Sequence, residues 1–216
     1  MKCVVTAGPT YEPLDEVRRL TNFSTGKLGT ELANFLARQG HEVVLLIGYY
    51  AIHRGEQKAR RVETFTTTAD LRARLEALST QGVGAVFHAA AVSDFTFGGV
   101  WERKESGELV PCAERKISTR KGQLLAGLQP TPKIISELRG WFSLAWLAGW
   151  KYELDGDRAR VLRVAEQQIA GNRTNACVVN GAAYGDGFGL VTGAGQCRHL
   201  PDAPALYRTL ARLIAT

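Results

Sequence analysis

Hydrophobic and polar positions in this chain switch between a period of two and a helical period, and the switches mark its elements. "KCVVTA" (2–7) is a short, β-branched run halted by Gly8-Pro9-Thr10, which predicts a buried strand and then a turn. From Gly26, "GKLGTELANFLARQGHEV" sets Leu28, Leu32, Phe35 and Leu36 at helical spacing, with Gly40 as the stop. "EVVLLIG" (42–48) and "RRVETFTTT" (60–68) predict a second and third strand. "TADLRARLEALSTQ" predicts a helix capped by Thr68 or Asp70, and "GAVFHAAAVSDF" a fourth strand running into a loop. This alternation predicts an α/β domain: a doubly wound, mostly parallel sheet of Rossmann-like type, covered on both faces.

After Phe95 the pattern breaks. "GGVWERKESGELVPCAERKISTRKGQLLAGLQPTP" is rich in Gly, Lys and Pro, with weak alternation around Glu108-Leu109-Val110. It predicts an inserted arm over about 98–129 containing a β-hairpin, because segments this long in compact domains serve as lids or interface arms. Periodic segments then resume with "PKIISELRG", "FSLAWLAGW", "DRARVLRVAEQQIA", "NACVVNG", "FGLVTG" and "APALYRTLARLIAT". No repeat, low-complexity tract or transmembrane segment interrupts them, so 1–216 reads as one domain carrying an arm.

Composition changes this picture little. With 45% hydrophobic and 22% charged residues, the chain can bury an ordinary core. A net charge of +6 and a pI near 9.3 invite a nucleic-acid reading. The basic residues are interleaved with acids, however, as in "LDEVRRL", and a phosphate-bearing small ligand explains a modest excess equally well. The four cysteines show no Cys-x-x-Cys spacing, and Cys3 and Cys177 fall in apolar runs as small buried hydrophobes. The amino terminus has too short an apolar run for an export signal, so a reducing cytoplasm is expected. His41, His53, His88 and His199 are scattered, and no metal-ligand cluster of side chains is expected.

"TNFSTGKLG" (21–29) looks like a phosphate loop, yet a Walker loop needs Gly where Thr21 stands and Ser or Thr where Leu28 stands. A dinucleotide fingerprint fails too. The glycines do not follow the first strand directly, and the second strand ends "LLIGYY" without the acid that would bind a ribose. Gly8, Ser24, Gly26 and Gly29 are open to two readings: backbone N–H groups at a helix start receive phosphate, or the glycines only make turns. Between strand and helix, "YEPLDEVRRLTN" is unusually long and charged. Arg18 or Arg19 there could grip a phosphate or carboxylate bidentately.

"VTAGPTYEPLDEVRRLTNFSTGKLGTELANFLARQGHEVVLL", then "HAAAVSDF", "KIS", "PTPKII", "GWKYELD" and "NACVVNG", resembles phosphopantothenoylcysteine synthetase in the same order across nearly the whole chain. The resemblance implies a ligase that joins 4'-phosphopantothenate to cysteine in coenzyme A synthesis. The carboxylate would be activated with CTP or ATP and Mg²⁺, through an acyl-nucleotide intermediate. It implies nucleotide contacts at Gly8, Ser24, Gly26, Gly29, Trp150 and Asn180, with Trp150 standing where the family has Phe. It implies a phosphopantothenate site of Asn22, Ala90, Ala91 and Asp94 from one subunit, with Arg18 from its homodimer mate and the arm at the interface. Lys116 matches the family's essential lysine beside the triphosphate.

The departures are specific. Ser118 and Thr119 stand where fused bacterial enzymes carry further lysines, and Gln168 and Asn172 occupy another neighbourhood that is lysine-bearing in those enzymes. These features resemble the stand-alone and eukaryotic type, so CTP against ATP stays open, and the flavin-dependent decarboxylase half is expected to be absent. On this reading Lys116 neutralises charge as pyrophosphate leaves, and Asn22 donates to the acyl oxygen when cysteine attacks. Bland alternatives are a solvated Lys116, a helix-capping Asn22 and a buried, loop-anchoring Asp94. Rival functions are an NAD(P)- or nucleotide-binding Rossmann protein without ligase activity, and a basic nucleic-acid-binding protein.

Overall fold

The computed structural model describes residues 1–118 and 122–215. Strand β1 (Lys2–Ala7) enters a long connection that forms its own hairpin from β2 (Tyr11–Pro13) and β3 (Arg19–Thr21) before helix α1 (Lys27–Arg38). There follow β4 (Glu42–Gly48), β5 (Arg61–Phe65), α2 (Thr68–Leu78) and β6 (Val83–His88). Next come β7 (Phe95–Arg103), β8 (Leu109–Pro111) and β9 (Gln123–Pro130). The chain then runs through α3 (Ile134–Trp141), β10 (Trp146–Tyr152), α4 (Arg158–Asn172) and β11 (Ala176–Asn180). Strands β12 (Phe188–Gly193) and β13 (Gln196–Leu200) precede the last helix, α5 (Ala203–Leu213).

The central sheet has the order β13-β12-β11-β10-β6-β1-β4-β5. Its six parallel strands, numbered among themselves, read 3-2-1-4-5-6, the doubly wound Rossmann order, and β12 and β13 add an antiparallel edge. Strand parity divides the core. Val5, Leu45, Phe87 and Val178 face α1 and α5, meeting Leu32, Leu36, Leu206 and Leu210. Val4, Leu46, Val86 and Leu147 face α2 and α3, meeting Leu71, Leu75 and Leu138. Helix α4 covers Cys177, Val179 and Val191 through Val161 and Ala165. Each fully buried leucine contributes roughly 1.5–3 kcal/mol, which is why the apolar stripe of α1 holds it to the sheet. Burial also pushes the Cys3 and Cys177 thiols up, to about 11 and about 12, and all four cysteines are free.

Two sequence expectations shift. Helix α2 is capped by Thr67, not by Thr68 or Asp70: Thr67 is extended and its Oγ1 accepts the Asp70 N–H, while Asp70 reaches back to the Thr66 N–H at 2.8 Å. The arm expected over 98–129 is a three-stranded antiparallel sheet ordered β8-β7-β9, in which Phe95 already pairs with Pro130. The apolar Phe95 and Phe97 flank polar Thr96, so the strand begins before the glycines that suggested a boundary. Polar β13, with four of its five residues exposed, is an edge strand that hydrophobic patterning passes over. Among the described residues, no helix is long and apolar enough to cross a membrane.

Candidate active site

At the carboxyl edge all six parallel strands end in a loop or helix, and most of the expected residues collect there. In a doubly wound sheet this edge is the ligand-binding one. Gly8 and Gly26 both have φ of 78°, the left-handed region that glycine enters without strain. Their bare faces are turned toward buried Ala51: an added Cβ would lie 2.8 Å (Gly8) or 2.9 Å (Gly26) from the Ala51 methyl. Gly29 lets α1 press on β1, since a Cβ there would lie 2.7 Å from Ala7 Cβ and 3.0 Å from the Thr6 carbonyl. Gly8, Gly26 and Gly29 thus perform the turn and packing jobs of a dinucleotide fingerprint, with the hairpin-bearing connection inserted between the first and second. Ala51 fills the space beside the first two.

Helix α1 starts at Lys27 with Gly26 as N-cap; the Lys27 N–H donates to Thr25 Oγ1 at 3.2 Å, and neighbouring Ser24 is half-buried. Lys27 itself points along its own helix to Glu31, at 3.8 Å. Trp150 and Asn180 lie near the ends of β10 and β11, adjacent strands, with parity that puts both on the α1 and α5 face. The buried indole N–H of Trp150 has no hydrogen-bond partner among the described residues.

Ala91 joins the two loops. Its N–H donates to the Gly8 carbonyl at 3.0 Å, and its carbonyl accepts the Thr10 N–H at 3.1 Å and the Asn22 amide at 3.2 Å. Asn22 is therefore not a helix cap; it lies four residues ahead of the Gly26 cap, and its Nδ2 carries a second N–H beyond the one given to Ala91. Asp94 is not a buried anchor either. It is exposed and ion-paired with Lys133, the N-cap residue of α3.

Behind Ala90 lies a cavity of about 120 Å³ lined in part by His88, Asp94, Lys133, Trp150 and Gln168. His88, on the last residue of β6, contacts Thr6 Oγ1 at 3.0 Å through Nδ1, and the same hydroxyl accepts the Ala90 N–H at 3.0 Å. The hydroxyl can donate to Nδ1 or accept from it, so the contact fits either tautomer of the ring. Burial pushes His88 down to about 4, so the ring is neutral near pH 7. Sequence reasoning passed over His88, Thr6 and Lys133. Polar residues at core-parity positions of apolar strands were the available signal for the first two.

Lys116 is exposed, and among the described residues no bond links it to the cluster of Gly8, Asn22 and Ala91. The neighbouring Ile117 is tied instead to the β2–β3 turn. Asp15 Oδ2 accepts its N–H at 3.1 Å, and Arg18 Nη2 donates to its carbonyl at 3.0 Å. Burial works to raise the Asp15 carboxyl, but N–H donors from Val17, Ile117 and Arg18, with the Arg18 guanidinium, outweigh it and hold the group below the usual carboxylate range. Ser118 is exposed, and Thr119 lies outside the described residues.

Fold and edge together define an α/β protein of doubly wound type, with its candidate site at the carboxyl ends of β1, β6, β10 and β11. The sequence model of the family "DNA/pantothenate metabolism flavoprotein C-terminal domain" matches residues 1–196, and the chain belongs to that family. A "Coenzyme A biosynthesis bifunctional protein CoaBC" of Bacillus subtilis is 30% identical over 191 residues, 88% of this chain and 42% of that protein. A "Cysteine/Cysteine sulfinic acid decarboxylase" from an unknown prokaryotic organism is 31% identical over 134 residues, 62% of this chain and 33% of that protein. The chain thus spans less than half the length of either relative. The solved structure of the DNA/pantothenate metabolism flavoprotein from Streptococcus pneumoniae is similar at a TM-score of 0.85 and 25% identity, covering 100% of this chain and 98% of that one.

Proposed function

We propose that this chain is a phosphopantothenate–cysteine ligase, forming an acyl-nucleotide from 4'-phosphopantothenate and CTP or ATP and then passing the acyl group to cysteine. The observation that carries this reading is the bonding of Asn22 and the Gly8 turn to Ala91, which unites the residues expected to hold nucleotide and acyl group. Family membership and the coenzyme A biosynthesis name of the bifunctional relative support it.

A carboxylate becomes an acyl donor only after its oxygen attacks the α-phosphate. The nucleotide would lie on the α1 side of the edge, its phosphates at the open start of α1 with Ser24, Gly26 and Gly29, and its base by Trp150 and Asn180. A helix start capped only by a glycine suits phosphate, and the Trp150 N–H, unpaired among the described residues, offers a donor to a ligand. Phosphopantothenate would occupy the Ala90, Ala91 and Asp94 side. Lys116 would stabilise the departing pyrophosphate, and the second N–H of Asn22 the oxyanion that grows as cysteine attacks.

Among the described residues no group of three or more His, Cys, Asp or Glu side chains is placed to hold a metal. Mg²⁺ would be bound chiefly by triphosphate oxygens, where it would offset phosphate charge. We further propose a cytoplasmic homodimer with the sheet of β7, β8 and β9 at its interface and Arg18 reaching the mate's site. The exposed apolar side chains of Phe95, Leu124 and Leu128 on that arm favour such an interface, and four free cysteines fit a reducing compartment. A non-catalytic dinucleotide-binding role fits less well, because β4 ends without the acid that would bind a ribose.

The test incubates the protein with phosphopantothenate, cysteine, Mg²⁺ and either CTP or ATP. Pyrophosphate release that requires phosphopantothenate is expected with one nucleotide; its absence with both would overturn the reading.

A further inference from the structure

An exposed lysine loses rotamer freedom when a reaction needs it in one place, so the segment that carries it decides how much ordering is left to do. The flanks of Lys116 are tied down. The turn from Leu14 to Arg18 closes with the Leu14 N–H donating to the Arg18 carbonyl at 2.9 Å. Inside it the Asp15 side chain is only 1% exposed. Its Oδ1 accepts the N–H groups of Val17 (2.9 Å) and Arg18 (2.7 Å), and its Oδ2 accepts Arg18 Nη1 (2.7 Å) and the Ile117 N–H (3.1 Å). Arg18 Nη2 then donates to the Ile117 carbonyl at 3.0 Å.

Asp15 and Arg18 together therefore hold both backbone polar groups of Ile117, one as acceptor and one as donor. On the other side of Lys116, the Glu16 N–H donates to the Arg115 carbonyl at 2.9 Å, and the two side chains form an ion pair. The Ile117 side chain is 2% exposed and pins the segment from beneath. Lys116 thus projects from a backbone fixed on both sides.

We propose that Asp15 is a positioning residue, setting through Arg18 and the Ile117 backbone where the Lys116 ammonium meets the triphosphate. This rests on the reading of Lys116 given above. All four groups facing Asp15 are donors, and a carboxylate alone accepts from all of them; an amide would set its own NH₂ against one or two. The two Arg18 contacts use two of five guanidinium donors, so the clamp leaves others for a ligand.

The test is Asp15→Asn, with two readouts. In brief trypsin digestion of the native protein, cleavage after Arg115 and Lys116 should rise about tenfold relative to cleavage after Arg163 in α4, which reports global unfolding. Arg18→Gln, scored by the same ratio, serves if Asp15→Asn folds poorly. Pyrophosphate release should fall about tenfold in Asp15→Asn, and adding that substitution to Lys116→Gln should cost nothing further, because both act on one group. Additive losses, or an unchanged cleavage ratio, would overturn the proposal. If Lys116→Gln alone leaves pyrophosphate release intact, the role of Lys116 falls, and the cleavage ratio still decides whether the clamp exists.

Discussion

Replacing Asn22 by Asp exchanges an amide donor for a carboxylate at a position joined to the Ala91 carbonyl over 3.2 Å. The structural cost is small. Asn22 is exposed, so losing one hydrogen bond costs about 0.5–1.5 kcal/mol, and water screens the new oxygen–oxygen repulsion. In a domain of 216 residues a loss of about 1 kcal/mol lowers the thermal midpoint by about 2–4 °C. The chemical cost should be larger and confined to one step. An oxyanion donor is worth about 3–4 kcal/mol, or roughly 10²–10³ in rate, and Asn22→Asp should still form the acyl-nucleotide and then stall when cysteine is added. Lys116→Gln should do the opposite and slow pyrophosphate formation itself by a similar factor. Single-turnover reactions quenched and weighed by mass spectrometry separate the two, since the trapped species has the mass of phosphopantothenate plus nucleoside monophosphate minus water. Accumulation in Lys116→Gln with blocked pyrophosphate release in Asn22→Asp would reverse the roles. A midpoint drop beyond about 10 °C in Asn22→Asp would mark the residue as structural.

Lys27→Ala should leave nucleotide affinity within a few-fold, because Lys27 pairs with Glu31 along α1; a loss of about a thousandfold, some 4 kcal/mol, in a binding titration would make it a phosphate ligand after all. His88 is held at about 4 against an unfolded value near 6.5. Below pH 6.5 the unfolded chain therefore takes up a proton that the folded one refuses. Stability is full above pH 6.5, falls as pH drops toward 4 and levels off below, by about 3 kcal/mol in all. Urea titrations of His88→Gln should show that acid limb flattened, and matching slopes in both proteins would refute the assignment. Mixing Arg18→Ala chains with inactive Asn22→Ala chains should restore one intact site per mixed dimer if Arg18 acts across an interface. No recovery despite proven subunit exchange would count against shared sites.

By itself the sequence determined the buried strands of the sheet and its helices, though not the polar edge strand β13, because both signals are local. Runs such as "KCVVTA" and "EVVLLIG" bury both faces of a strand, and Leu32 and Leu36 recur at the pitch of a helix wherever the rest of the chain goes. The glycines were legible as a partial fingerprint for the same reason. What faces them was not: Ala51 arrives from the loop after β4, and only the folded chain shows it against Gly8 and Gly26. Asn22 illustrates the same limit, since its nearness to the helix suggests a cap, while its partner, Ala91, lies 69 residues away. Asp15 and Ile117 are 102 residues apart, His88 and Thr6 are 82, and no periodicity relates such pairs. Hydrogen bonds and ion pairs of this kind form when the sheet brings strand ends to one edge. Tertiary structure alone therefore decided which polar residues act together, while the apolar pattern had already decided the frame that carries them.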